Sequence, residues 1–201
     1  MTKRKVPFEP TPADDRGIQV TAEGKRLYLR EVLPEDWAEF HPYASDPDTV
    51  KYQPWGPHTE TDSKFFVRQV LIDARQKYRS RYVFAIVEKA DHHVIGNIEL
   101  NIQDWDGVGE IGFIIHHHYW GRGFATEACR LMLAYSFDHC GLHRVTALSS
   151  PENKASQRVL EKIGMVKEGT LREDIFVKGA WRDSSIYGVL RSEWEKRKSG
   201  N

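Results

Sequence analysis

Nine consecutive residues, Tyr119-Trp120-Gly121-Arg122-Gly123-Phe124-Ala125-Thr126-Glu127, join the end of a β-like run to the start of a helical pattern through a turn with two glycines. That order meets the needs of anion binding by backbone: unused N–H groups at a helix start, aimed by a turn, with the helix dipole adding to them. Gly121 and Gly123 permit backbone angles and a close approach that a β-carbon would obstruct. Arg122 can add a charge-assisted bond to a phosphate oxygen. Two glycines before a helix also describe a plain tight turn, so the segment by itself leaves both readings open.

Other reactive residue types offer less. No Ser/His/Asp arrangement is visible and Cys129 falls inside a helical pattern, so a covalent intermediate on the protein is not expected. His116, His117 and His118 sit at a strand end, where neighbours should point to alternating faces and fail to converge on one ion. His139 and His143 bracket Cys140 near a helix end, where histidine suits the dipole. No metal is expected. Tyr52 and Trp55 fall in a loop with Pro47, Pro54, Gly56 and Pro57 and are read as walls of a substrate site, whereas Trp105 and Trp181 are read as rim packing in turns.

The elements that must position these groups follow from periodicity and punctuation. Residues 1–23 hold three prolines and no sustained period, which fits a mobile leader able to dock on the body or on a second copy in a homodimer. The folded domain is expected over 24–195, with 196–201 a polar tail. A strand at Arg26–Arg30 is followed by a helix opened by Pro34-Glu35-Asp36. A second helix starts at Thr59, paired with Asp62 in a capping-box arrangement, and Phe66, Val70, Ala74 and Tyr78 form its expected apolar face. Strands at Tyr82–Val87, Val94–Ile102 and Val108–Ile115 should make an antiparallel meander, with Asp104-Trp105-Asp106-Gly107 as a hairpin turn. A long helix then runs from Gly123 to Gly141, followed by a strand at Val145–Leu148, a helix from Asn153 to Gly164 and strands at Leu171–Val177 and Ser184–Leu190.

Composition bounds the partners. The chain has 201 residues, enough for one core, and 29 basic against 29 acidic residues give no excess for a nucleic-acid face. The basic start, Met1 to Lys5, leads into prolines instead of an apolar stretch, so neither a signal peptide nor a membrane span is expected. Cys129 and Cys140 lack metal-ligand spacing and read as reduced thiols of a cytoplasmic protein.

Residues 119–127 resemble the acetyl-CoA signature of the GNAT N-acetyltransferase superfamily, Gln/Arg-x-x-Gly-x-Gly/Ala, with Trp120 in the first place, Gly123 in the fourth and Ala125 in the sixth. The longer form Tyr-Trp-Gly-x-Gly-Phe/Tyr-Ala-Thr-Glu-Ala is similar to that of the branch containing the ribosomal-protein N-terminal acetyltransferases. Glu110-Ile111-Gly112-Phe113 looks like the family's fourth strand, and Asn153-Lys154-Ala155-Ser156 with Leu160–Met165 looks like its second cofactor motif, so the likeness covers about residues 25–192.

The resemblance implies an α/β GNAT fold: a mostly antiparallel central sheet splayed at its fourth and fifth strands, with helices on both faces. It implies acetyl transfer from acetyl-CoA to a primary amine, on a protein N-terminus or on a small molecule such as an aminoglycoside or polyamine, or else a non-catalytic CoA-binding module. Backbone groups of Ile114 and Ile115 would hold the pantetheine arm, the N–H groups from Arg122 through Phe124 and Ala125 to Thr126 the pyrophosphate, and Asn153 the pantetheine side. Asn153 serves equally well as a helix cap. Glu110 matches the strand-four glutamate that serves as base in histone acetyltransferases, with Glu99 in reserve through water. The tyrosine that many relatives place seven residues after the motif asparagine is here Leu160, while Ser156, three after Asn153, matches the serine with the proton-donor role in the ribosomal-protein branch. The branch's partner glutamate is also missing, with Ile175 in its place.

Overall fold

Runs rich in Val, Ile and Leu build one eight-stranded sheet in the computed structural model, which describes residues 13–14, 16–103 and 107–199. The strands are β1 (Val20–Glu23), β2 (Leu27–Glu31), β3 (Arg81–Glu88), β4 (Val94–Gln103), β5 (Val108–Ile115), β6 (Arg144–Ser149), β7 (Val166–Val177) and β8 (Ala180–Leu190), in the order β1-β2-β3-β4-β5-β6-β8-β7. Every neighbouring pair is antiparallel except β5 with β6. The expected meander of β3, β4 and β5 is present, although Asp104-Trp105-Asp106 of its turn lies outside the described residues.

Helices cover both faces. On one side α1 (Trp37–Ala44) and α2 (Glu60–Ala74) bury Phe40, Tyr43, Val67 and Val70 against Val83, Ala85, Val94 and Ile114. On the other, α3 (Phe124–Ala134) and α4 (Lys154–Lys162) bury Phe124, Ala128, Met132 and Leu160 against Leu29, Ile98, Ile111 and Ile115. Alternation along each strand supplies both layers at once. No helix among the described residues is long and apolar enough to cross a membrane.

Three expectations shift. Val20–Glu23, placed by sequence in the leader, is a strand paired with β2, and residues 1–12 lie outside the described residues. A helix α5 (Arg191–Ser199) takes in four residues of the expected tail, with Trp194 stacked on Phe137 at 5.8 Å. The Thr59 and Asp62 capping box forms, yet α2 ends at Ala74, and its buried side is Ser63, Val67 and Val70. A strict four-residue row advances about 40° per step on a helix of 3.6 residues per turn, so Phe66, Val70, Ala74 and Tyr78 wind off the core, and Tyr78 is exposed.

Two polar devices hold the elements around the site. Arg30 and Asp36 form a buried bidentate pair at 2.6 and 2.8 Å, and the Asp36 carboxylate also accepts the Leu33 amide at 2.7 Å, which sets the corner from β2 into α1. The loop between α1 and α2 is latched from two sides. Asp46 accepts hydrogen bonds from the Thr49 hydroxyl and amide and pairs with Nδ1 of His117 at 2.7 Å, while Lys178, in the β7–β8 turn, donates to the Val50 carbonyl at 3.0 Å.

Both devices yield measurable expectations. Asp36→Ala leaves a buried guanidinium unpaired and should cost about 3–5 kcal/mol in denaturant unfolding, partly recovered by adding Arg30→Met; a loss below about 1 kcal/mol contradicts this account of the corner. The Asp46 carboxyl is held down to about 2, chiefly by the Thr49 hydroxyl against a burial cost, then by the Thr49 amide, the His117 ring and the Asp48 amide. A depressed carboxyl stabilises above its unfolded value of about 4 and loses that contribution as pH falls through its folded value. The melting-temperature gap between wild type and Asp46→Asn should therefore close from pH 4 toward pH 2, and a constant gap would exclude Asp46 as the source.

Candidate active site

The one parallel contact in the sheet is short. Val108, Gly109 and Glu110 pair with Arg144, Val145 and Thr146, after which β5 continues to Ile115 and β6 to Ser149 with no further rungs between them. A wedge-shaped gap opens there. The Thr146 hydroxyl donates to the Gly109 carbonyl at 3.3 Å on the last rungs.

Register decides which groups line the gap. Ile115 stands opposite Gly96, and the His116 amide donates to the Ile95 carbonyl at 2.9 Å, so His116 is in a hydrogen-bonded pair with β4. Antiparallel pairs alternate, which commits the amide and carbonyl of Ile114 to Asn97 and turns those of Ile111, Phe113 and Ile115 toward the gap. Of Ile114 and Ile115, the two residues expected to hold a pantetheine arm through backbone, only Ile115 turns its backbone groups toward the gap, as Phe113 does. The Ile115 carbonyl already accepts Nε1–H of Trp120 at 2.7 Å.

Beyond Ile115 the chain turns through His117–Tyr119 and Gly121 into α3. Gly121 and Gly123 have φ of +72° and +82°, a region that side chains disfavour. Crowding by the protein itself is not their reason: a Cβ on Gly121 would meet no protein atom within 4 Å, and one on Gly123 only the far end of Arg26 at 3.3 Å. Gly123 caps α3 without a side chain, and the first amide bonded inside the helix is that of Glu127, to the Gly123 carbonyl at 3.2 Å. The amides of Phe124, Ala125 and Thr126 are the first-turn donors a helix cannot use itself. Phe124 is buried, so only its backbone can face a ligand. The Arg122 guanidinium folds back onto Glu88 at 3.2 Å and lies 5.3 and 4.9 Å from the Tyr119 and Phe124 rings.

Glu110 opposes Asn101, and its side chain shares the α1–α2 face with Asn97, Glu99 and Gly112. Glu99 accepts from Arg81 at 3.3 and 3.0 Å, Arg81 also reaches Asp73 at 3.1 Å, and the Glu99 carboxylate lies 3.3 Å from where a Gly112 Cβ would stand. Arg81 also lines a cavity of about 470 Å³ formed with Pro57, His58, Phe65, Phe66 and Gln69. Neither Tyr52 nor Trp55 lines it; Trp55 packs on His58, a wall residue, at 4.6 Å, and Tyr52 lies 5.2 Å from the Lys51 ammonium.

Across the gap, α4 follows β6. Asn153 caps it, its Oδ1 accepting the Ser156 amide at 3.1 Å, which is the cap role left open by sequence. Ser156 is half-buried in that first turn, while Leu160 is wholly buried in the core. Burial pushes the Cys129 thiol up and that of Cys140 up to about 12, so neither is a thiolate nucleophile at neutral pH.

The three histidines depart from expectation. His117–Tyr119 is a 3₁₀ turn instead of a strand end, and it gathers the three rings so that one nitrogen from each lies within 4.8 Å of the others. Two of the rings have other partners: Nδ1 of His116 accepts the His118 amide at 3.2 Å, and Nδ1 of His117 pairs with the Asp46 carboxylate. Burial and the two neighbouring rings lower the His116 pKa, in keeping with a neutral acceptor. Trp181 packs on Phe176 at 5.5 Å, and Trp105 lies outside the described residues. What sequence reading missed is Arg26, which donates to the Arg122 carbonyl and to Glu127; nothing in a short β-like run marks one arginine for a contact 96 positions away.

Residues 26–166 match the family model of the acetyltransferase (GNAT) domain. An uncharacterised N-acetyltransferase of Bacillus subtilis is 35% identical over 170 residues, 85% of this chain and 96% of that protein. The ribosomal protein uS5-alanine N-acetyltransferase of Escherichia coli is 26% identical over 176 residues, 84% of this chain and 90% of that one. The crystal structure of a GNAT-family acetyltransferase from Bacillus anthracis, 33% identical, superposes with a TM-score of 0.76 over 87% of this chain and 99% of its own. With the split sheet and the glycine turn already in place, these likenesses establish that the chain belongs to the GNAT acetyltransferase family and is an acetyl-CoA-dependent N-acetyltransferase.

Proposed function

We propose that the gap between β5 and β6 takes the pantetheine arm of acetyl-CoA along Phe113 and Ile115, and that the amides from Arg122 to Thr126 cradle its pyrophosphate. The supporting observation is the continuity of gap-facing backbone with the unused donors of α3 through a turn held at positive φ. The acceptor amine enters from the α1–α2 face. Asp73 and Glu99 both pair with Arg81 there and Glu110 shares that face on β5, which gives a carboxylate-bearing wall suited to an amine.

In this reading a water-linked or direct contact to Glu110 takes the amine proton, the amine nitrogen attacks the thioester carbonyl, and the C–S bond breaks. Ser156, at the start of α4, returns a proton to the departing thiolate. Peptides with a free N-terminus are the first acceptor class, because one relative acts on a ribosomal protein alanine. Small amines are the second, because a cavity of about 470 Å³ is of the size that holds a small ligand.

Thiol release from acetyl-CoA, measured with parallel panels of peptides, polyamines and aminoglycosides, distinguishes the two classes; activity with one panel alone assigns the acceptor, and release with neither removes this reading of the acceptor face. Glu110→Gln should lower kcat about 100-fold and flatten the alkaline-rising limb of the pH profile, leaving CoA affinity within about twofold. An unchanged profile takes Glu110 out of the role.

A further inference from the structure

The two glycines that open α3 supply no side-chain restraint of their own. Gly123 caps the helix with no side-chain bond, and Gly121 and Gly123 resist the backbone angles they hold less than any other residue type would. Trp120 fixes its near end on the Ile115 carbonyl, and the restraint at the glycines comes from Arg26, between the first two strands. Its NH1 donates to the Arg122 carbonyl at 2.7 Å, its Nε to Glu127 Oε2 at 3.0 Å, and its own amide to Glu127 Oε1 at 2.7 Å, while its guanidinium carbon stands 4.6 Å from the Phe124 ring centroid.

The peptide plane turns this contact into a direction. The Arg122 carbonyl and the Gly123 N–H belong to one trans unit and point opposite ways, so fixing the carbonyl on Arg26 aims the Gly123 N–H away from it, to the side of the turn where the α3 donors converge. Glu127 is the acidic residue of the first turn of α3, where a carboxylate competes with any anion for the helix terminus. Burial opposes its ionisation, but the amide and guanidinium of Arg26 outweigh that and hold its pKa below the ordinary value. Arg26 therefore also supplies the countercharge to the acid nearest the proposed pyrophosphate cradle. Gly24 leaves room for the arrangement, since a Cβ there would lie 2.6 Å from Glu127 Oε1.

We infer that Arg26, acting through the Arg122–Gly123 peptide and Glu127, is a positioning residue for the diphosphate of the cofactor, and that its removal weakens recognition of that part of acetyl-CoA selectively. The inference rests on the cradle proposed above. The test compares two probes in the full-length enzyme: CoA, by calorimetry, and pantetheine, which has the same thiol arm and no diphosphate, by competition. Arg26→Met should weaken CoA about tenfold or more and leave pantetheine within about twofold. In turnover it should raise KM for acetyl-CoA with kcat little changed, as loss of uniform binding requires. Adding Glu127→Gln to Arg26→Met should restore part of the CoA affinity, because the uncompensated carboxylate is then gone. Arg26→Lys, which keeps charge without the fork, should show the same selective loss at about threefold and serves if the methionine variant does not fold.

Equal losses for CoA and pantetheine would mean a general structural role and overturn the inference, as would a double variant weaker than Arg26→Met. Wild-type enzyme that binds CoA no better than pantetheine would instead remove the cradle itself, a failure distinct from one confined to Arg26.

Discussion

A parallel pairing that stops after three rungs governs this molecule. β5 and β6 begin as neighbours at Val108–Glu110 and Arg144–Thr146, and each is then tied elsewhere, β5 to β4 along its whole length and β6 to β8. Two strands held on their outer sides and released on their inner sides expose backbone donors and acceptors inside a protein, which is costly unless something pairs with them. The extended, amide-bearing arm proposed for this gap would meet that need in the way an added strand does. The site is thus a place where the sheet is left incomplete, and the helices following its two strands, α3 and α4, bring their N-terminal turns to its margins.

The two ends of the site are secured by different means. At the start of α3, glycines give the turn its shape and Arg26, from the turn between β1 and β2, bonds the Arg122 carbonyl and Glu127. On the α1–α2 face, the loop between α1 and α2 is tied to the β5 exit by Asp46 and His117 and to the β7–β8 turn by Lys178. The second arrangement links the loop to the same short turn that leads into α3, so the two halves share a structural element, His117–Tyr119.

Much of this was legible in the sequence, and the gaps have definite causes. The alternating strands, the Thr59–Asp62 cap and the glycine turn each carry local signals, and they appear where those signals place them. β1 has four residues and α5 a single large apolar side chain, Trp194, too little for a period to register. That Phe113 and not Ile114 faces the gap turns on one-residue parity, which is set by the pairing of His116 with Ile95 and cannot be seen in either strand alone. The histidine rings converge because a 3₁₀ turn replaces the expected strand end. Arg26 and Arg81 act through partners on other elements, and long-range pairing leaves no trace in local pattern.

β7 carries a consequence of another kind. It is the outermost strand, 12 residues long, with Val166, Leu171, Ile175 and Phe176 exposed, and its pairing with β8 shifts register between Lys167 and Gly169 and again between Leu171 and Ile175. A straight, apolar edge of that length would template endless sheet growth from molecule to molecule. The two irregularities and the run Arg172-Glu173-Asp174 between the apolar residues break the line into pieces too short and too charged to serve. The same distortions that make this strand look untidy keep a protein with an open-edged sheet from becoming a fibre.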